Sequence, residues 1–196
     1  VVLASGTGSN LQALLDACTD SAYGASVVAV GADRPGTLAV QRAHAAGVAT
    51  FELPLSPTRS RSEWDTQLAD EVASFTPDLV VSAGFLKLTG EAFLARFPGR
   101  FVNTHPSLLP AFPGMHAPRD ALRYGVKVTG ATLFAVDAGV DTGPIIAQTV
   151  VPVADNDSAE SLHERIKAAE RDMLVDCVGR MARQGFTIDG RRVSIP

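Results

Sequence analysis

The chain has 196 residues, 46% of them apolar and 19% charged, which suits one soluble globular domain with a sizeable core and excludes a disordered chain, a fibre or a repeat array. Its 17 Lys plus Arg against 21 Asp plus Glu give a formal charge of −4 with no long basic block, so a nucleic-acid partner is not expected. No apolar run reaches the ~18 residues of a membrane span and no charged-then-apolar leader opens the chain. Cys18 and Cys177 stand far apart, without disulfide framework or zinc spacing, which fits a reducing, cytoplasmic setting. Val1 already reads as strand, so a few residues are expected to precede it.

Val1 to Ala4 reads as a buried strand, Ser5 to Asn10 as a Gly-rich turn, and Leu11, Leu14, Leu15 and Cys18 recur at helical spacing. Ser26 to Val30 follows as strand, Thr37 to Ala46 as a helix ended by Gly47, and Val48 to Leu53 as strand. Ser60 with Glu63 forms a capping box ahead of the helix face Trp64, Leu68, Val72 and Phe75, which Pro77 ends. Asp78 to Ser82 is the next strand, Gly90 to Arg96 a short helix, and Phe101 to Thr104 a short strand. His105 to Pro118 is too rich in proline for helix or central strand and reads as a long ordered loop, a place where function concentrates. Val126 to Val136 and Ile145 to Val153 read as strands joined by the Asp137 to Pro144 loop. Asp157 with Glu160 is expected to cap a last long helix with the stripe Leu162, Ile166, Ala169, Met173, Cys177 and Met181. Phe186 to Ile195 reads as a hairpin turned at Asp189-Gly190. The alternation predicts an α/β domain in three layers, an open, mostly parallel, Rossmann-like sheet with helices on both faces.

Three places could carry chemistry. The turn Ser5-Gly6-Thr7-Gly8-Ser9-Asn10 joins a first strand to a helix N-terminus, where backbone N–H groups and the helix dipole favour an anion. Leu11 stands where a dinucleotide fingerprint needs its third glycine, so a phosphomonoester fits better than a pyrophosphate. Asp33 could imitate a ribose-binding acid, but Asp33-Arg34-Pro35-Gly36 is also an ordinary turn. Asn103 and His105, two apart at a strand end, point to the same side, and an amide with an imidazole can polarise a carbonyl. In an open α/β sheet the turns at Ser5, Ala83 and Asn103 should converge beyond the carboxyl ends of the strands. Asp141, in the Gly139-Val140-Asp141-Thr142-Gly143 loop, is the natural third member, a carboxylate that would favour the charged ring. His44 and His163 read as surface residues, and His116 is undecided.

Taken together, Ser5-Gly-Thr-Gly-Ser-Asn-Leu-Gln12, Ala83-Gly-Phe-Leu-Lys-Leu88, Asn103-x-His105-Pro-Ser-Leu-Leu-Pro110 and Val140-Asp141-Thr-Gly-Pro-Ile-Ile146 resemble the glycinamide ribonucleotide formyltransferase family. The resemblance runs in order over almost the whole chain. It implies a single formyltransferase domain over 1–196, with a nucleotide-binding half of about residues 1–100 and a folate and catalytic half of about 101–196. It implies formyl transfer from the co-substrate 10-formyltetrahydrofolate to the glycyl amine of glycinamide ribonucleotide in purine synthesis, without a metal or covalent intermediate. Asn103, His105 and Asp141 match the catalytic set: Asn103 and His105 would donate to the oxyanion, and Asp141 would hold His105 charged and move protons. Gly8, Ser9 and Asn10 match the phosphate site, Glu170 the ribose contact, and Lys167 is placed to add charge near the phosphate. Arg61, Leu86, Lys87, Leu88, Thr89, Asp137 and Val140 match folate-binding segments. One departure is visible: Phe134 stands where the family often has histidine.

The partners implied are the two small molecules, with no nucleic acid and no membrane, and a homodimer is compatible with the resemblance. A formyltetrahydrofolate hydrolase would use the same three residues but leave the phosphate turn without purpose. A methionyl-tRNA formyltransferase would be expected to carry a further nucleic-acid-binding domain. A passive nucleotide-binding module or a nicotinamide-dependent oxidoreductase is the reading of a different class. The Asp137 to Pro144 loop, with Gly139 and Gly143 near its ends, is expected to move.

Overall fold

The computed structural model describes Val1–Pro196. Its elements in chain order are β1 (Val2–Leu3), α1 (Ser9–Ala17), β2 (Ala29–Ala32), α2 (Leu38–Ala45), β3 (Ala49–Glu52), α3 (Arg61–Ser74), β4 (Val80–Ser82), α4 (Glu91–Arg96), β5 (Phe101–His105), α5 (Ala117–Tyr124), β6 (Val128–Ala135), β7 (Ile145–Pro152), α6 (Ala159–Gln184), β8 (Thr187–Asp189) and β9 (Arg192–Ser194). One seven-stranded sheet has the order β3-β2-β1-β4-β5-β6-β7. The backbone divides into two compact units, Val1–Asn103 and Thr104–Pro196.

In the first unit β1 to β5 pair in parallel throughout, as α/β alternation requires. Leu11, Leu14 and Leu15 bury one stripe of α1, and Trp64, Leu68 and Val72 bury one of α3. The capping box forms: Ser60 Oγ accepts the Glu63 N–H, and the Glu63 carboxylate accepts the Ser60 N–H. Trp64 is fully buried, and its indole N–H donates to the Leu53 carbonyl at 3.0 Å, satisfying the one polar group it takes into the core. Asp65 is also buried; it accepts the N–H groups of Gly90 and Phe93 and so caps α4 from a neighbouring helix. β2 begins at Ala29 rather than Ser26 and runs through Gly31. A Cβ on Gly31 would lie 2.3 Å from the Phe51 ring and 2.7 Å from Leu3, so the glycine sits mid-strand because both neighbouring strands fill the space beside it.

In the second unit β6 and β7 pair antiparallel, from Val128 opposite Pro152 to Leu133 opposite Ala147, with an irregularity between Leu133 and Phe134. The expected stripe of α6 is buried at Leu162, Ile166, Met173, Cys177 and Met181, and half-buried at Ala169. Its cap differs from expectation: Ser158 and Ser161 bond reciprocally, one residue on from Asp157 and Glu160. Asp157 instead binds Arg165 through both oxygens, at 2.6 Å each, and that pairing holds its carboxyl far below the usual carboxylate range. Helix α5 is an element the sequence reading lacks. Its proline, Pro118, sits in the first turn, where the missing N–H has no intrahelical partner to lose. The β8-β9 hairpin forms, with Asp189 opposite Arg192. No helix is long and apolar enough to cross a membrane.

Candidate active site

The first unit brings the turns after β1 and β4 into contact. The Ser5 N–H donates to the Gly84 carbonyl at 3.1 Å, and Ser5 Oγ accepts the Leu86 N–H at 2.8 Å. Register places Leu3 beside Ser82 and Ser82 beside Asn103, so the carboxyl ends of β1, β4 and β5 are level, as the convergence argument expects. Gly8 caps α1 at φ +70°, and a Cβ there would lie 2.8 Å from Cα of Ala39, so this position needs glycine for conformation and for contact with α2. No side chain caps α1 and no acidic residue occupies its first turn. The positive end of the helix thus has no acid in its own first turn to neutralise it, which suits a ligand's anion. Ser9 is half-buried and Asn10 buried at its start.

Arg42 of α2, which sequence reasoning did not single out, holds this turn from the side. Its Nε donates to the Thr7 carbonyl at 2.9 Å and its Nη1 to Gln12 Oε1 at 2.8 Å. Asp33, read as an ordinary turn residue or a ribose-binding acid, is 4% exposed and paired with Arg34 at 3.2 Å and Lys87 at 3.6 Å. Burial pushes its carboxyl up, but hydrogen bonds from Arg34 and Ser5 and the charges of Arg34 and Lys87 together hold it below its ordinary value. Lys87 is thus tied to Asp33, while its neighbours Leu86 and Leu88 expose 61% and 66% of their surfaces. Arg61, exposed at the start of α3, lies 4.8 Å over the Trp64 ring and donates to the Leu88 carbonyl. Thr89 beside it is half-buried.

Strand β5 carries Asn103 and His105 on one face, with Thr104 between them on the other. The Asn103 amide is half-buried and bonded to no protein group. His105 is 5% exposed; its Nε2 lies 2.8 Å from the Phe112 carbonyl and its Nδ1 3.4 Å from Asp141 Oδ2. A carbonyl only accepts, so Nε2 carries a hydrogen and Nδ1 is the ring nitrogen that faces Asp141. At 3.4 Å the contact with Asp141 is looser than the 2.8 Å bond to Phe112. Asp141 Oδ2 also accepts the Gly114 N–H at 2.8 Å, whereas its Oδ1 takes no protein donor. The segment after His105 is pinned to β6 and β7: Thr132 Oγ1 donates to the Ser107 carbonyl at 2.7 Å and accepts the Leu109 N–H at 3.0 Å, and Gln148 donates to Thr132 and to the Leu109 carbonyl.

Elsewhere in the second unit, Glu170 is buried and accepts from Thr104 Oγ1 at 2.9 Å, whereas Lys167 pairs with the exposed Glu164 at 2.7 Å. Asp137 Oδ1 accepts the Gly139 N–H at 3.0 Å and the Thr142 hydroxyl at 2.6 Å, and Val140 is 51% exposed. Gly139 and Gly143, near the ends of the Asp137 to Pro144 loop, are sites of close approach: their Cβ atoms would lie 2.0 Å from Thr142 Oγ1 and 1.7 Å from the Ala135 carbonyl oxygen. Phe134 is buried in β6. His44 is exposed against Thr50 and His116 exposed at the start of α5, while His163 is half-buried. No group of three or more His, Cys, Asp or Glu side chains is arranged to hold a metal.

Comparison with known proteins bears on what this geometry is for. A family model described as formyl transferase matches residues 1–178. The chain is 55% identical over 195 residues to a phosphoribosylglycinamide formyltransferase of Mycobacterium tuberculosis, covering 100% of this chain and 90% of that one. It is 41% identical to the Escherichia coli protein of the same name, covering 98% of this chain and 94% of that one. Among solved structures, glycinamide ribonucleotide transformylase 1 from Symbiobacterium toebii superposes with a TM-score of 0.95 at 43% identity, covering 99% of this chain and 92% of the other.

Proposed function

Because the chain belongs to the formyl transferase family, we propose that it transfers a formyl group from 10-formyltetrahydrofolate to the glycyl amine of glycinamide ribonucleotide, a step of purine synthesis. The observation that carries this reading is the unpartnered Asn103 amide on the strand face it shares with His105, whose ring lies between the Phe112 carbonyl and Asp141. The donor molecule supplies the formyl group. In the first unit the exposed Leu86 and Leu88 and Arg61 offer it apolar contact and a cation, and in the second Val140 and the Asp137 loop offer apolar and polar contact. The N-terminus of α1, from Gly8 to Asn10, takes the phosphate of the acceptor. Glu170 takes its ribose, and Lys167 adds positive charge on the same helix.

As the free amine of the acceptor attacks, the formyl oxygen gains negative charge. The Asn103 amide donates to it, and one such donor is typically worth about 2.7–4 kcal/mol of barrier. His105 contributes through Nδ1, since Nε2–H is already committed to the Phe112 carbonyl and the looser contact to Asp141 is the one that can be exchanged. Asp141 Oδ1 takes the proton that the attacking amine loses, directly or through a water, and returns it to the leaving nitrogen. The same reading places the reaction in the cytoplasm with two small-molecule substrates as partners. The test follows tetrahydrofolate release by absorbance, with and without the ribonucleotide. Release that requires the ribonucleotide supports the transfer, and release without it would replace the reading with hydrolysis.

A further inference from the structure

We propose that Arg191, at the tip of the C-terminal hairpin, is a positioning residue for Asp141; the inference rests on the reading of Asp141 given above. Arg191 Nη1 donates to the Thr142 carbonyl at 2.9 Å and Nη2 to the Gly143 carbonyl at 3.2 Å. These are the two residues that directly follow Asp141, and the guanidinium fork spans both at once, which a single ammonium cannot do. Asp141 itself sits at φ +55°, a conformation that costs a side-chain-bearing residue roughly 1–2 kcal/mol and persists only where surrounding contacts impose it.

Those contacts can be named. On the upstream side Asp137 Oδ1 ties Gly139 and Thr142, and at the base the Ala135 N–H donates to the Pro144 carbonyl at 2.9 Å. The Gly114 N–H holds one carboxylate oxygen of Asp141 itself. On the downstream side the contacts to the Thr142 and Gly143 carbonyls come from Arg191. The hairpin presents Arg191 in the two-residue turn between Asp189 and Arg192, with Gly190 at φ +57° supplying the left-handed residue that turn requires. The family match ends at residue 178, so Arg191 lies beyond it while the two carbonyls it holds lie within it.

The experiment compares Arg191→Ala, Arg191→Lys, Asp141→Asn and the double variant Arg191→Ala/Asp141→Asn in steady-state turnover. Displacing Asp141 by a fraction of an ångström should lower kcat of Arg191→Ala roughly 10- to 100-fold, with KM for the ribonucleotide and the melting temperature nearly unchanged. Arg191→Lys keeps the charge but not the fork and should recover only part of the loss. With Asp141→Asn already present, Arg191→Ala should change kcat less than about two-fold, because the carboxylate it positions is gone. Full turnover by Arg191→Ala with a slow Asp141→Asn overturns the tether alone. Losses that multiply in the double variant, or that follow a drop in melting temperature, also overturn it, since they would mark general support of the fold. Normal turnover by Asp141→Asn overturns the reading of Asp141 and the tether with it.

Discussion

Asn103→Ala separates chemistry from folding more cleanly than any other change in the site. The amide is half-buried and bonds to no protein group, so its removal leaves no orphaned partner, and the backbone pairing of Asn103 with Ser82 is untouched. The stability cost should stay within about 0.5 kcal/mol, a shift in melting temperature of only a degree or two for a chain of this size. Against that stands the loss of one donor aimed at a developing oxyanion, about 2.7–4 kcal/mol, or roughly 100- to 1,000-fold in kcat. The two magnitudes differ enough for the variant to be slow and yet fully folded. Asn103→Asp sharpens the test, because it keeps the volume but replaces a donor with a negative charge, and should be slower than the alanine variant. Tetrahydrofolate release under saturating substrates gives kcat, and titration of each substrate gives its KM. A kcat within about three-fold of the parent in Asn103→Ala, or a loss matched in the KM for the ribonucleotide, would refute the assignment.

Three further outcomes follow from the first unit. Gly8→Ala should destabilise the fold by about 1–3 kcal/mol in urea unfolding and raise KM for the ribonucleotide, because its Cβ would meet Ala39 and its φ is +70°; Gly6→Ala, with open space around it, should leave the unfolding midpoint unchanged. Arg42→Ala removes the bonds to the Thr7 carbonyl and Gln12 and should raise that KM roughly five- to ten-fold with little change in kcat, as steady-state titration would show. Asp33 has a carboxyl held below its ordinary value in the folded chain, so its charge contributes stability above the unfolded carboxylate range and that contribution is lost as pH falls through the folded value. Asp33→Asn should therefore be less stable than the parent by a constant margin from pH 7 to 5, and the margin should close below about pH 4 in denaturant titrations.

Much of the candidate site is legible because the residues proposed to carry chemistry also break the local rules of their elements. A glycine before a helix, an amide and an imidazole two apart at a strand end, and an acid between glycines each stand out against apolar periodicity. The apolar stripes of α1, α3 and α6 placed those breaks at the ends of elements, and the structure puts them there. The errors share a cause. β2 was cut short at Gly31 because a glycine reads as punctuation, whereas here it makes room for Phe51 and Leu3. Helix α5 goes unread behind the proline-rich loop, which is expected to end at Pro118, because a proline in a first turn and one in a loop look alike in sequence. Asp33 lies in the turn expected of it, whereas its burial and the reach of Lys87 are tertiary facts that its neighbours in sequence do not show.

What escaped the sequence most completely is the support of the site by backbone carbonyls. Phe112 receives His105, Thr7 receives Arg42, Leu88 receives Arg61, and Thr142 and Gly143 receive Arg191. A carbonyl is present at every residue, so the identity of Phe112 or Thr142 says nothing about its being an acceptor. The three arginines are spaced like ordinary solvated charges on helices and a turn, and only the fold shows where each guanidinium ends. Residue type thus marks the groups that touch a reacting atom, because few side chains can do that work, whereas the groups that aim them are drawn from side chains common over any surface. Substitutions at such arginines would look tolerable in sequence and should still cost substrate affinity, as at Arg42, or turnover, as at Arg191, with the fold intact.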